Sequence, residues 1–140
     1  MSRTQNGIKV VYVGHIVAWF CFLFMVHTMN PPHRSVSSLI PVAFALAATY
    51  AVGVGFVMRK KFLRQSTEAL PDNPPKALAL WRAAHVISFS CAMSIAIFGV
   101  ALKFLGSSWL VPGIFFGLSL CFLLLWRPSQ FAVVSGAQPA

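Results

Sequence analysis

His15 and His85 are the residues in this sequence whose type and spacing come nearest to chemistry. They stand in two matching phrases, His15-Ile-Val-Ala-Trp-Phe-Cys21 and His85-Val-Ile-Ser-Phe-Ser-Cys91, at a shift of 70 positions. Both fall inside apolar runs, and an intramembrane histidine is a functional-site hypothesis in its own right. Two such imidazoles on neighbouring helices can hold a b-type haem. The small neighbours Gly14 and Ala84 leave room for a macrocycle. The competing reading is a pair of hydrogen-bonding anchors near one membrane face. His27 and His33 lie towards the opposite face and read as interfacial residues. No metal site is expected, since no set of three or four ligands is visible.

The acids are more informative by where they are missing. The only two, Glu68 and Asp72, lie between the second and third apolar runs. Ion carriers in membranes generally use an intramembrane carboxylate. Carboxylate pairs and Ser-His-acid triads are also excluded by this distribution, and no phosphate-cradling glycine loop is present. The sequence therefore predicts a protein that is not an enzyme, with no catalytic residue and no obligatory cofactor.

These residues sit on elements that can be read directly. The chain has 140 residues, 58% hydrophobic and 9% charged, with a net charge of +9. Four apolar runs carry no Asp, Glu, Lys or Arg: Val10–Met29, Leu39–Met58, Ala83–Leu102 and Trp109–Trp126. Each is roughly 18–20 residues, the length that crosses about 30 Å of hydrocarbon as a helix. Backbone polar groups in lipid must be satisfied within the segment, so helices are required. The expected fold is an all-α integral membrane protein with four transmembrane helices arranged as two helical hairpins. The first hairpin is 1–64 and the second 77–127. A cytoplasmic loop occupies 65–76 within a polar connection from Arg59 to Lys76, and a disordered tail follows over 128–140. The first run lacks a small-residue cleavage site and reads as a retained helix.

The basic residues flank these runs and form no exposed stripe. The expected partner is therefore the lipid bilayer and not nucleic acid. Arg3, Lys9, Arg59, Lys60, Lys61, Arg64, Lys76, Arg82 and Arg127 fall on one side, Arg34 and Lys103 on the other. This asymmetry predicts both termini inside. Arg59, Lys60, Lys61 and Arg64 also suit anionic lipid head groups. Cys21, Cys91 and Cys121 all lie within runs and form no disulfide framework.

Small residues recur every fourth position: Ala43, Ala47, Ala51 and Gly55, then Ala84, Ser88, Ala92 and Ala96, then Gly113 and Gly117 with Cys121. Such ridges let helix backbones approach closely. They predict packing within the chain, self-association or contact with other membrane subunits. At the shift of 70, Ser37-Ser38 falls on Ser107-Ser108, and Ala43 and Ala47 on Gly113 and Gly117, which raises a parallel tandem repeat of the two hairpins.

Residues 40–105 resemble the proteolipid subunit c of rotary ATP synthases. Ala51-Val-Gly53-Val-Gly55 is similar to the glycine-rich first helix of that family. Arg64-Gln65 followed by Glu68-Ala69 is similar to its polar loop, and Ala96-Ile97-Phe98-Gly99 to its second helix. The family's ion-carrying carboxylate maps onto Met93, whose thioether exchanges no proton. The resemblance thus implies a proteolipid-like hairpin without ion transport. The leading expectation is a structural or accessory subunit of a membrane complex, in a bacterial inner membrane. The alternatives are a haem-binding electron carrier using His15 and His85, or a small transporter or lipid-interacting protein using Thr49, Tyr50 and Ser119.

Overall fold

The computed structural model describes residues 3–28, 37 and 39–128, and side chains from residue 6 onward. These residues form four helices and no strand: α1 (Arg3–Thr28), α2 (Leu39–Ala69), α3 (Pro74–Phe104) and α4 (Leu110–Leu125). The first three are long and apolar enough to cross a membrane. At 16 residues, α4 spans only about 24 Å.

The helices end where local chemistry ends them. Asn73 caps α3, its side-chain oxygen accepting from the Lys76 N–H at 3.1 Å, with Pro74 and Pro75 opening the first turn. At the far end, Gly106 adopts φ 94°. Its N–H donates to the Lys103 carbonyl and that of Ser107 to the Leu102 carbonyl, the paired bonds of a Schellman stop that only a residue at ease with positive φ can make. Pro41 and Pro112 fall in the first turns of α2 and α4, where no intrahelical donor is lost.

The polar connection expected from Arg59 to Lys76 is mostly helix. α2 runs on to Ala69 and α3 begins at Pro74, so the loop expected over 65–76 shortens to residues 70–73. Polarity after Met58 marks where the chain leaves the apolar zone, not where the helix stops. Nothing between Arg59 and Ala69 breaks a helix, and Pro71 is the first residue that does. The eleven residues past Met58 carry α2 roughly 16 Å further.

α3 is the hub. α1, α2 and α4 all pack on it, while α1 and α2 do not pack together as a pair. A first hairpin of α1 on α2 is therefore not the arrangement among the described residues. The packed antiparallel neighbours are α2 with α3 and α3 with α4. Among the described residues the first half then does not pack as the second does. The turn expected at Asn30–Ser35, and the tail beyond Pro128, lie outside the described residues.

The core follows from that arrangement. Trp19, Phe89, Ala92, Met93, Ala96, Phe116, Leu123 and Trp126 form its larger cluster, and Ile95, Leu102, Phe115 and Ala48 a smaller one. Buried polar groups fasten helices to one another. Trp19 Nε1 donates to the Phe116 carbonyl at 3.2 Å, and Ser119 Oγ to the Ala92 carbonyl at 2.7 Å. Ser66 Oγ donates to the Ala77 carbonyl at 2.7 Å near the α2–α3 turn. Large apolar side chains such as Val10, Phe24, Leu39, Leu110 and Leu125 meanwhile cover the outside, a surface suited to lipid and costly in water.

Candidate functional site

The two histidines do come to one place. α1 and α3 run parallel, which sets His15 and His85 at the same end of the bundle, each against Phe89. The ring centroids are 5.6 Å and 6.1 Å from it. Tyr12 joins the cluster at 5.3 Å from Phe89, and Trp81 at 4.5 Å from His85. Each imidazole is oriented by its own helix. His15 Nδ1–H donates to the Val11 carbonyl at 2.8 Å and His85 Nδ1–H to the Trp81 carbonyl at 2.9 Å. His85 and Phe89 are completely buried, and His15 is half-buried. Ala84 is buried too, while a Cβ on Gly14 would meet nothing. A macrocycle reaching both rings has to displace Phe89, so the packed arrangement holds an aromatic side chain where the haem reading needs space. Among the described residues no three His, Cys, Asp or Glu side chains gather into a metal site.

The three small-residue ridges meet different fates. On α3, Ala84, Ser88, Ala92 and Ala96 are all fully buried, so this ridge lets the neighbouring helices approach the hub. On α2 only the end of the ridge is used. A Cβ at Gly55 would lie 3.0 Å from Cys91 Cβ and 3.0 Å from Trp126 Cη2. Ala51 is half-buried, and Ala43 and Ala47 face outward. On α4 the ridge turns away from the bundle. Gly113, Gly117 and Cys121 are exposed, and a Cβ on either glycine meets nothing within 4 Å. Sequence spacing found these ridges but not their partners. It also missed Gly99, where a Cβ would lie 3.2 Å from both Phe115 Cβ and the Pro112 carbonyl oxygen. Its signal is its place three residues after Ala96, one turn along the same face.

The helix directions bring Lys9, the Arg59–Arg64 segment, Lys76, Arg82 and Arg127 to one end of the bundle. Arg59 is more than a surface charge: its Nη1 donates to the Trp126 carbonyl at 3.1 Å, placing a cation on the negative end of α4. Arg64 pairs with Glu68 at 3.3 Å on the exposed face of α2. Lys60 and Lys61 are exposed.

Lys103 marks the opposite end. Charge counting used it only as a minority cation. In the structure it is nearly buried, with Nζ 5.1 Å from the Trp109 ring centre. His27 lies tilted against the same indole, ring centroids 6.0 Å apart, and His33 and Arg34 lie outside the described residues. The residues expected to serve a transporter do not converge. Thr49 Oγ1 donates to the Ala45 carbonyl of its own helix, Ser119 is committed to Ala92, and Tyr50 points outward.

Comparison with protein-family models, curated proteins and solved structures returns no match. The functional reading therefore rests on the chain's own geometry.

Proposed function

We propose that the protein is a small, non-catalytic membrane subunit whose α4 receives a transmembrane helix from a partner. The observation that carries this reading is the outward face of Gly113, Gly117 and Cys121, with open space above both glycines. Glycine in a helix interior costs about 1 kcal/mol against alanine. In lipid that cost is offset where a second backbone comes close. The other small-residue ridges show what this looks like when occupied, at Gly55 and along Ala84–Ala96. α1 and α2 also bury little of their surface within the chain, as suits a piece of a larger assembly. The α2–α3 hairpin is proteolipid-like in this reading, with Met93 in the packed core where the resemblance would place an ion-carrying acid. The chain sits in a bacterial inner membrane with both termini and the basic end inside.

Isolation from membranes in mild detergent tests this. The expected result is a complex, with another subunit or with a second copy, that Gly113→Leu and Gly117→Leu dissolve. The fold should survive those changes because both positions are exposed and a Cβ there meets nothing within 4 Å. A monodisperse monomer with no co-purifying partner would overturn the reading.

A b-type haem on His15 and His85 is the second reading. It requires the Phe89 ring, which lies against both imidazoles, to move aside, and it is favoured by the Nδ1 anchoring of both rings at one end of the bundle, since ligating histidines are commonly oriented in this way by an outer-shell carbonyl. A visible spectrum after expression with haem decides it. A Soret band lost in His85→Ala supports a haem protein, and no band in the unaltered chain ends the idea.

A further inference from the structure

Between α2 and α4, over the back of α3, runs a groove that the subunit reading does not use. Its inner stretch has a volume of about 360 Å³ and is bordered by Ala45, Thr49, Val52, Ile114 and Leu118. Its outer stretch, about 490 Å³, is bordered by Phe56, Leu63, Leu125 and Trp126, and there Arg59 and Lys60 enter the lining. Phe122 lines both stretches, which follow one another along the same faces of α2 and α4. Beyond Lys60 a third hollow continues onto Lys61 and Arg64. The groove is thus apolar along its length and cationic at one end.

We infer that this groove seats one anionic phospholipid, with its phosphate on Arg59 and Lys60 and one acyl chain laid between α2 and α4. Three observations agree. Charge is the first: the two cations border the groove just where the apolar run Leu39–Met58 ends, at the height of head groups. Arg59 is held there by its bond to the Trp126 carbonyl, which uses one of five guanidinium N–H donors. Arg64 has Glu68 as a partner, which leaves Arg59 and Lys60 as the principal phosphate donors.

Length is the second. From Ala45 to Arg59 is fourteen residues, roughly 21 Å of helix. That is enough for an acyl chain crossing one leaflet of a hydrocarbon core about 30 Å thick. The third is the lining itself. The inner stretch presents methyl, isobutyl and phenyl groups, and its hydroxyl at Thr49 is turned onto the Ala45 carbonyl. Nothing there calls for a polar ligand.

The full-length protein in detergent, examined by native mass spectrometry, tests this. It is titrated with phosphatidylglycerol and, separately, with phosphatidylcholine of the same acyl chains. One phosphatidylglycerol should be retained per chain, with phosphatidylcholine bound about thirty-fold more weakly, as expected for two cations near a membrane surface. Lys60→Gln, at an exposed side chain, should lose about fivefold of that preference. Leu118→Trp, which fills the inner groove from a partly exposed position, should weaken both lipids. Soluble glycerol phosphate should fail to displace the bound lipid. Equal retention of the two lipids overturns the inference, as does phosphatidylglycerol binding unchanged in both variants. Displacement by glycerol phosphate also overturns it, since the site would then take a free anion. Loss of a protein partner in the glycine variants leaves these outcomes untouched, so the two proposals fail separately.

Discussion

At the scale of single residues, two pairs of glycines make opposite demands. Gly55 and Gly99 sit where a Cβ would press on neighbours at 3.0–3.2 Å, against Cys91 and Trp126 in one case and a backbone carbonyl in the other. Gly55→Ala and Gly99→Ala should each destabilise the protein by about 1–3 kcal/mol, the usual cost of overpacking. Gly113→Ala and Gly117→Ala should cost nothing, and raise helix propensity instead. Reversible unfolding in mixed micelles checks this, and equal effects at all four positions would contradict the packing described. Ser119→Ala should lose about 0.6–2 kcal/mol, the range for interhelical hydrogen bonds in membranes. Both the Ala92 carbonyl and the α4 backbone keep their helical partners, so no buried group is orphaned.

At the scale of elements, the informative case is the stretch Arg59–Ala69. A scan of spin labels across it should show accessibility rising and falling every 3.6 residues, as on a helix, where a loop would show none. Asn73→Ala removes the α3 cap and should cost about 0.5–2 kcal/mol, read as fraying at the α2–α3 turn. The sequence reveals the apolar runs because a 20-residue stretch without charge has few other uses. It reveals small-residue spacing for the same local reason, whereas the meeting of His15 and His85 on Phe89 follows from the parallel packing of α1 on α3. It does not reveal where a helix ends in water, since Arg, Lys, Gln and Glu are as helical as they are polar. Nor does spacing tell which neighbour a ridge meets. Ala84–Ala96 and Gly113–Gly117 read alike, yet one is sealed in the core and the other faces out. That difference arises from long-range packing on α3, which no local pattern encodes. Phe89 is the sharpest instance: nothing in the sequence shows its ring touching both imidazoles.

At the scale of the whole molecule, the alternating helix directions collect the basic residues at one end and leave Lys103 at the other. The positive-inside rule then predicts a cytoplasmic α2–α3 turn. Asp72→Cys, in a chain with Cys21, Cys91 and Cys121 changed to Ala, should resist an impermeant thiol reagent in intact cells and react once the membrane is opened. Labelling from outside would reverse the orientation. The bundle's outer surface is broadly apolar, with Val10, Phe24, Tyr50 and Leu110 all largely exposed, so extraction without detergent should give aggregation and not a soluble monomer.

The hub position of α3 also sets an order of events during synthesis. A chain emerging from the ribosome presents its N-terminal helices first, and here α1 and α2 have little to hold each other. Until α3 arrives, neither has the element on which it packs. The α2–α3 hairpin, joined by four residues, can close at once, and α1 then docks across a much longer separation. A nascent chain halted before Pro74 therefore lacks the helix on which both α1 and α2 pack.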